Sequence, residues 1–235
     1  MHTIKDMRIH RFFITERIPQ KGEFTVSDAG LLNQWRSVLR METGDKLIAF
    51  DGAGDEALCE LRALDKKSAT LLILEKKKGL VPAREVTLFM SLIKRDNFEL
   101  VLEKATELGV SRIVPVIASR SEKKGLNRLR SEKILREASE QSGRATVPVL
   151  DDVVSIKDIF NTYKEPIIVL DPRGNHFNYE NDSEPTGLVI GPEGGFTDEE
   201  IEFFRSRCAP IISVGATILR AETAAIVAIA LVLAK

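Results

Sequence analysis

Residues 187–201 read Gly-Leu-Val-Ile-Gly-Pro-Glu-Gly-Gly-Phe-Thr-Asp-Glu-Glu-Ile, and residues 211–225 read Ile-Ile-Ser-Val-Gly-Ala-Thr-Ile-Leu-Arg-Ala-Glu-Thr-Ala-Ala. Each stretch is a short apolar strand running through a glycine-bearing loop into a helix. Two such crossings side by side suit a small ligand resting on backbone at the C-terminal edge of a sheet. Gly191, Pro192, Glu193, Gly194 and Gly195 form the first loop, and glycine lets a ligand approach the main chain closely. Thr197 is a good N-cap with Glu200 three residues on, and Phe196 and Ile201 suit the hydrophobic staple across it. Ile201, Phe204 and Cys208 then fall at the spacing of a buried helical stripe. The loop lacks the Lys-Ser/Thr of a P-loop and the spacing of a dinucleotide fingerprint, and Glu193 inside it repels phosphate.

The second loop runs from Val214 to Thr223 and leads into 224–234, which holds no polar residue. Eleven apolar residues are too few to span a bilayer, which needs about 20. A helix apolar on all sides belongs in a core or an oligomer interface. Arg220 and Glu222 stand at its mouth. From the residues alone they read either as a helix-terminus ion pair or as part of a site.

Around these loops the rest of the 235 residues falls into place. Residues 1–75 read as a small β-rich unit. Its strands are Arg11–Ile14, Gly22–Val26, Leu47–Phe50, Ala57–Leu61 and Thr70–Leu74, with a helix whose Leu31, Leu32, Trp35, Val38 and Leu39 share one face. Residues 76–84, with a lysine run, a glycine and a proline, read as a linker. From residue 85 to 235 strands and helices alternate, the pattern of an α/β domain. Val86–Ile93 is an apolar strand. Asp96 is the expected cap of a helix with Phe98, Val101, Leu102, Ala105 and Leu108 buried and Gly109 at its end. Arg112–Val116 is the next strand, a second helix buries Leu129, Ile134, Leu135 and Ala138, and the strand Ile167–Leu170 is broken by Asp171-Pro-Arg-Gly.

The chain is 43% hydrophobic and 29% charged with a formal net charge of −1, the composition of a soluble globular protein with no overall pull toward nucleic acid. The charge is uneven. Residues 112–144 carry nine Lys/Arg against four acids, and residues 165–202 carry one Arg against ten acids. The basic stretch fits a local RNA footprint, and it also fits helix faces that differ in sign. Cys59 and Cys208 lie in different domains and read as small buried hydrophobes, with no disulfide framework and no metal-ligand cluster. The first residues lack a long apolar run, so no signal peptide is expected and the cytoplasm is the expected setting.

Gly191-Pro-Glu-Gly-Gly-Phe-Thr, Ile218-Leu-Arg-Ala-Glu-Thr-Ala, Lys94-Arg95, Lys104-Ala-Thr-Glu-Leu-Gly-Val and Glu140-Gln-Ser-Gly-Arg144 occur in one order along the chain. Together they resemble the RsmE family of 16S rRNA uracil-N3 methyltransferases, of the SPOUT superfamily. The resemblance implies an N-terminal PUA-like β-barrel and a C-terminal α/β trefoil-knot domain. It implies S-adenosyl-L-methionine held by Leu170, Gly191, Pro192, Glu193, Gly194, Gly195, Val214, Gly215, Ile218, Leu219, Thr223 and Ala224. Arg220 and Glu222 would be catalytic, and Arg8, Arg11, Lys94, Arg95 and Arg144 would meet RNA. The implied partners are 16S rRNA within the small ribosomal subunit and a second copy of the chain, with no membrane and no metal. The chain departs from the family pattern at Thr217, where Arg is usual, and at Gln34, where His is usual. Two other readings stay open: a methyltransferase acting on another RNA atom such as a ribose 2′-hydroxyl, and a non-catalytic RNA-binding module.

Overall fold

Alternation builds the first sheet. In β3 (Lys46–Phe50), β4 (Asp55–Leu64) and β5 (Ala69–Lys78), every second residue is buried: Leu47 and Ala49, then Ala57, Cys59 and Leu61, then Ala69, Leu71 and Ile73. That is the period of a strand with one face on a core. β1 (His10–Phe13) lies parallel to β3 and β2 (Gly22–Val26) antiparallel to β5, giving the order β1-β3-β4-β5-β2. The structure is a computed structural model that describes residues 9–122, 125–176 and 186–233.

α1 (Ala29–Asn33) starts at Asp28, whose carboxylate accepts from the Leu31 N–H at 2.8 Å. It passes into a π-helical turn, Gln34–Val38. The wider turn seats Trp35 fully inside the core with its ring 5.2 Å from that of Phe12. It also carries Val38 off the expected apolar face, so Val38 is 69% exposed.

The chain divides into two compact units. The first runs to Val81 and takes in Ser139–Val147; the second comprises Pro82–Ala138 and the chain from Pro148 onward. The expected linker differs at its start. Lys76, Lys77 and Lys78 continue β5 opposite Ala57, Glu56 and Asp55, and their ammonium groups reach Asp55 and Glu56. The lysine run is the end of β5, matched to acids on its neighbour β4. Ser139–Val147 joins the first unit through backbone: Gly54 N–H donates to Ala145 O, Ala145 N–H to Leu80 O, and Val147 N–H to Gly52 O.

The second unit is organised by strands apolar on both faces, the signature of a covered parallel sheet. β6 (Val86–Ser91), β7 (Arg112–Ile117), β10 (Ile167–His176) and β11 (Thr186–Ile190) pair in parallel, with β12 (Ile211–Ser213) beyond β10 and the short β8 (Val149–Leu150) and β9 (Val154–Ser155) on β7. The order β12-β10-β11-β6-β7-β8 sets the ends of β10, β11 and β12 beside one another. Asp171-Pro-Arg-Gly does not end β10. The strand runs on to His176, with its register on β12 shifted between Leu170 and Asn175.

α2 (Arg95–Leu108) begins one residue after its cap, Lys94, so Asp96 sits in the first turn. There a carboxylate still favours the positive end of the helix dipole. The helix ends at Gly109, whose φ of 107° is the left-handed cap that glycine adopts freely. α3 (Arg128–Ser142) buries Ile134, Leu135 and Ala138 but leaves Leu129, in its first turn, 81% exposed. α4 (Ile156–Thr162) and α5 (Asp198–Ser206) pack Ile156, Ile159, Ile201 and Phe204 into one core with Phe89, Val169 and Val189. α5 ends before Cys208, which is exposed and has a φ of 56°, while Cys59 is buried as expected. Burial pushes the Cys59 thiol up to about 11. α6 (Ala221–Leu233) packs on α2 and β11 through Ala225, Ala228, Ile229 and Val232. Its other side keeps Leu231 38% exposed and Ile226, Val227 and Ala230 half-buried.

Candidate functional site

The glycine loop follows directly from β11. A backbone bond from Gly195 N–H to Pro192 O, 2.8 Å, folds it into a turn. Thr197 then caps α5, with both arms of the capping box made: Glu200 N–H to Thr197 Oγ1 at 3.2 Å, and Thr197 N–H to Glu200 Oε2 at 2.8 Å. Phe196 and Ile201, the expected staple, are 2% and 3% exposed in one core cluster. Gly195 has φ +67°, and a Cβ there would meet no heavy atom within 4 Å. The position therefore needs the left-handed region that glycine adopts freely, and it faces open space.

Three neighbouring segments hold this loop. Lys94 N–H donates to Glu193 Oε1 at 3.1 Å, Arg120 donates to Gly194 O at 2.7 Å, and Arg173 donates to Phe196 O at 3.0 Å. Arg173 is itself fixed on Asp171, through Nε to Oδ1 at 2.7 Å and Nη2 to Oδ2 at 2.9 Å, and it reaches Asp198 Oδ1 at 2.8 Å. Burial pushes the Asp171 carboxyl up, but the Arg173 guanidinium and backbone N–H outweigh it and hold the group below the usual carboxylate range. A carboxylate with a depressed folded pKa contributes stability above its unfolded value of about 3.9, and that contribution is lost as pH falls through the folded value. Asp171→Asn is expected to lower the thermal midpoint at neutral pH. It is also expected to flatten the fall in midpoint of the unaltered protein on acidification below about pH 4. A melting series across pH on both proteins checks this.

Between the glycine loop, the end of β10 and the 214–220 loop lies a cavity of about 1010 Å³. That is near the upper end of small-ligand sites, roughly 300–1,000 Å³. Leu170, Gly191, Pro192, Glu193, Gly194, Gly195, Val214, Ile218, Leu219 and Ala224 line it, so ten of the expected cofactor residues come together; Gly215 and Thr223 stand outside the lining. Arg220 and Glu222 line it too. They are not an ion pair. The exposed Arg220 guanidinium has no partner among the described residues, and Glu222, 8% exposed, has Oε2 buried with no hydrogen bond. A buried carboxylate oxygen left unpaired is costly, and its place in a cavity wall points to a bound donor. The wall mixes Leu170, Ile190, Ile212, Val214 and Leu219 with open glycine backbone and polar ends. This lining fits S-adenosylmethionine, which has an apolar-faced base, polar hydroxyls and a charged amino-acid tail.

The basic residues expected to meet RNA divide. Lys94 is exposed and lines the cavity. Arg95 is exposed and pairs with Glu99, which also binds Arg130. Arg8 lies outside the described residues. Arg11 and Arg144 both make contacts inside the first unit. Arg11 Nη2 pairs with Glu56 at 2.9 Å, and the guanidinium lies 5.5 Å from the Phe50 ring centre. Arg144 is 4% exposed, donates to Thr146 Oγ1 at 2.9 Å, and is pushed by burial down to about 10. Residues missing from the expected site include Asn97, Arg120, Ser121, Glu122, Asp171 and Ser213, all in the lining. Arg120 follows β7 at the C-terminal sheet edge, and the rule that α/β ligands collect there marks it.

Comparison with known proteins gives the class first. Residues 81–233 match the model of an RNA methyltransferase domain and residues 36–74 that of an RNA methyltransferase PUA domain. The chain is 30% identical to the ribosomal RNA small subunit methyltransferase E of Rickettsia conorii over 95% of each chain. It is 32% identical to that of Bacillus subtilis over 82% of this chain and 83% of the relative. Two solved structures superpose with a TM-score of 0.89: a putative methyltransferase from Legionella pneumophila in complex with S-adenosylmethionine and the methyltransferase E of Neisseria gonorrhoeae bound to S-adenosyl methionine. The first is 28% identical and covers 97% of this chain and 98% of its own; the second is 27% identical and covers 95% and 96%. The chain belongs to the ribosomal RNA small subunit methyltransferase E family, with the α/β and PUA-like domains expected of it.

Proposed function

We propose that this chain is an S-adenosylmethionine-dependent methyltransferase that methylates N3 of a uridine in the 16S rRNA of the small ribosomal subunit. The observation that carries the reading is one cavity holding the glycine loop, an unpaired guanidinium at Arg220 and an orphaned carboxylate oxygen at Glu222. Family membership supports the substrate class.

N3 of uracil carries a proton and is a poor nucleophile while it keeps it. S-adenosylmethionine supplies an electrophilic methyl group on a sulfonium. The protein has three tasks. It admits a base turned out of its helix, it receives the N3 proton, and it stabilises negative charge spreading onto the uracil oxygens. Glu222 Oε2 is the proton acceptor, because it is buried in the cavity wall with no internal donor to compete. Arg220 is the charge stabiliser, because a guanidinium stays protonated and donates through up to five N–H groups. The glycine loop and Leu170, Val214, Ile218 and Leu219 hold the cofactor. Holding both reactants in one cavity supplies proximity. Lys94 and Arg95, exposed beside or in the cavity, meet rRNA phosphates.

The working form is a homodimer in the cytoplasm. The half-buried apolar side of α6, with Leu231, Ile226 and Val227, supports a second copy there. No helix among the described residues is long and apolar enough to cross a membrane, and no group of three or more His, Cys, Asp or Glu among them could hold a metal. The test offers methyl-labelled S-adenosylmethionine together with small subunits, large subunits or protein-free 16S rRNA. Label is expected in the small-subunit RNA. Label only in large subunits, or none with folded protein, refutes the reading.

A further inference from the structure

We propose that Arg120 is a positioning residue for the cofactor, acting through the glycine loop and not through the reacting atoms. The proposal rests on the S-adenosylmethionine reading of the cavity and deepens it. Arg120 lies just after β7, about 70 residues from the loop in sequence but against it in space.

Two observations carry it. Arg120 Nη1 donates to Gly194 O at 2.7 Å, a short, charge-assisted bond. Its aliphatic shaft also lies flat on Gly194: a Cβ built there would stand 3.1 Å from Arg120 Cδ and 3.3 Å from its Cβ. Gly194 is thus gripped on its carbonyl and on its open face by one side chain. The next residue, Gly195, is held in a conformation that other residues resist, with φ +67°. A loop with three glycines in five residues has much conformational entropy to lose on binding, and a clamp that removes it beforehand raises affinity. The clamp itself is anchored. Ser119 N–H donates to Glu200 Oε1 at 2.7 Å, and Glu200 closes the capping box of α5 with its other oxygen. The β7 end, the glycine loop and the start of α5 form one connected piece. Since the Arg120 side chain is exposed, it adds little to the core.

The experiment compares the unaltered protein with Arg120→Ala and Arg120→Lys. It measures S-adenosylmethionine affinity by calorimetry, KM and kcat for the cofactor, the thermal midpoint, and hydrogen exchange of amides 191–196 without cofactor. Arg120→Ala is expected to weaken binding and raise KM by about tenfold, within the range of a lost charged hydrogen bond. It should leave kcat at saturation and the thermal midpoint nearly unchanged, and should speed exchange in 191–196. Arg120→Lys, which keeps a donor on a flexible stem, is expected to recover part of the affinity. Unchanged affinity and exchange in Arg120→Ala overturn the proposal. So does a fall in kcat at saturation with affinity intact, which makes Arg120 a group on the reactants. So does an affinity loss matched by a general fall in thermal midpoint. If the unaltered protein itself binds no S-adenosylmethionine, the cofactor reading fails, and the exchange arm still decides whether Arg120 orders the loop.

Discussion

Replacing Arg220 by alanine is expected to lower kcat by about 10²–10³-fold, the usual cost of removing one donor aimed at developing charge. Cofactor affinity should change by less than about threefold, near the scatter expected of a surface substitution. The side chain is exposed and has no partner among the described residues, so its loss leaves no internal group unpaired and the fold intact. Its backbone carbonyl still accepts from Ala224 N–H at 2.8 Å, so the start of α6 keeps its first turn. Arg220→Lys retains charge but not the planar fork, and recovers only part of the rate. Single-turnover kinetics at saturating cofactor and subunit measure the effect. A loss confined to cofactor affinity, with turnover intact at saturation, contradicts the charge-stabilising role.

The second large effect is at Gly195. Valine there meets two obstacles. The φ of +67° costs a non-glycine residue roughly 1–2 kcal/mol, and more for a β-branched one. The new atoms then project into open space in the cavity wall, where the cofactor is expected to rest. Gly195→Val is expected to weaken S-adenosylmethionine binding by more than about a hundredfold, given two costs of that order at about 1.4 kcal/mol per tenfold. The protein should remain folded by circular dichroism. Gly195→Ala shares the backbone strain and adds one carbon, so it should fall between the two. Unchanged calorimetric affinity in the folded valine variant removes Gly195 from the cofactor site.

What could be read in advance was local. The capping box of Thr197 and Glu200, the staple of Phe196 and Ile201, and the glycine cap at Gly109 are each decided within one turn of chain, and the structure has all three. The alternation in β4 and the apolar run Gly187–Ile190 within β11 likewise separate a one-faced sheet from a covered one. Contacts between distant segments were not legible. Nothing near Arg120 in sequence indicates Gly194, and nothing near Arg173 indicates that it spans Asp171, Asp198 and Phe196 O. An arginine announces charge but not its neighbours: Arg11 and Arg144 read as phosphate contacts, and the sequence does not indicate that Arg11 Nη2 meets Glu56 or that Arg144 donates to Thr146. The charged run Lys76–Lys78 reads as linker in sequence, and only the paired strand shows it facing the acids Asp55 and Glu56. At Asp171-Pro-Arg-Gly the local turn signal lost to the strand. The shift of β10 along β12 accommodates the irregular stretch, as an irregular register does in a ladder.

In the proposed function the cavity transfers a methyl group to N3 of a uridine in small-subunit rRNA. The most direct measurement is nucleoside mass spectrometry on small subunits lacking base methylation, incubated with the purified protein and S-adenosylmethionine. New 3-methyluridine, absent when Arg220 is alanine, is the predicted result. A different methylated nucleoside, such as a 2′-O-methyl ribose, or no new methyl group with folded protein, contradicts it.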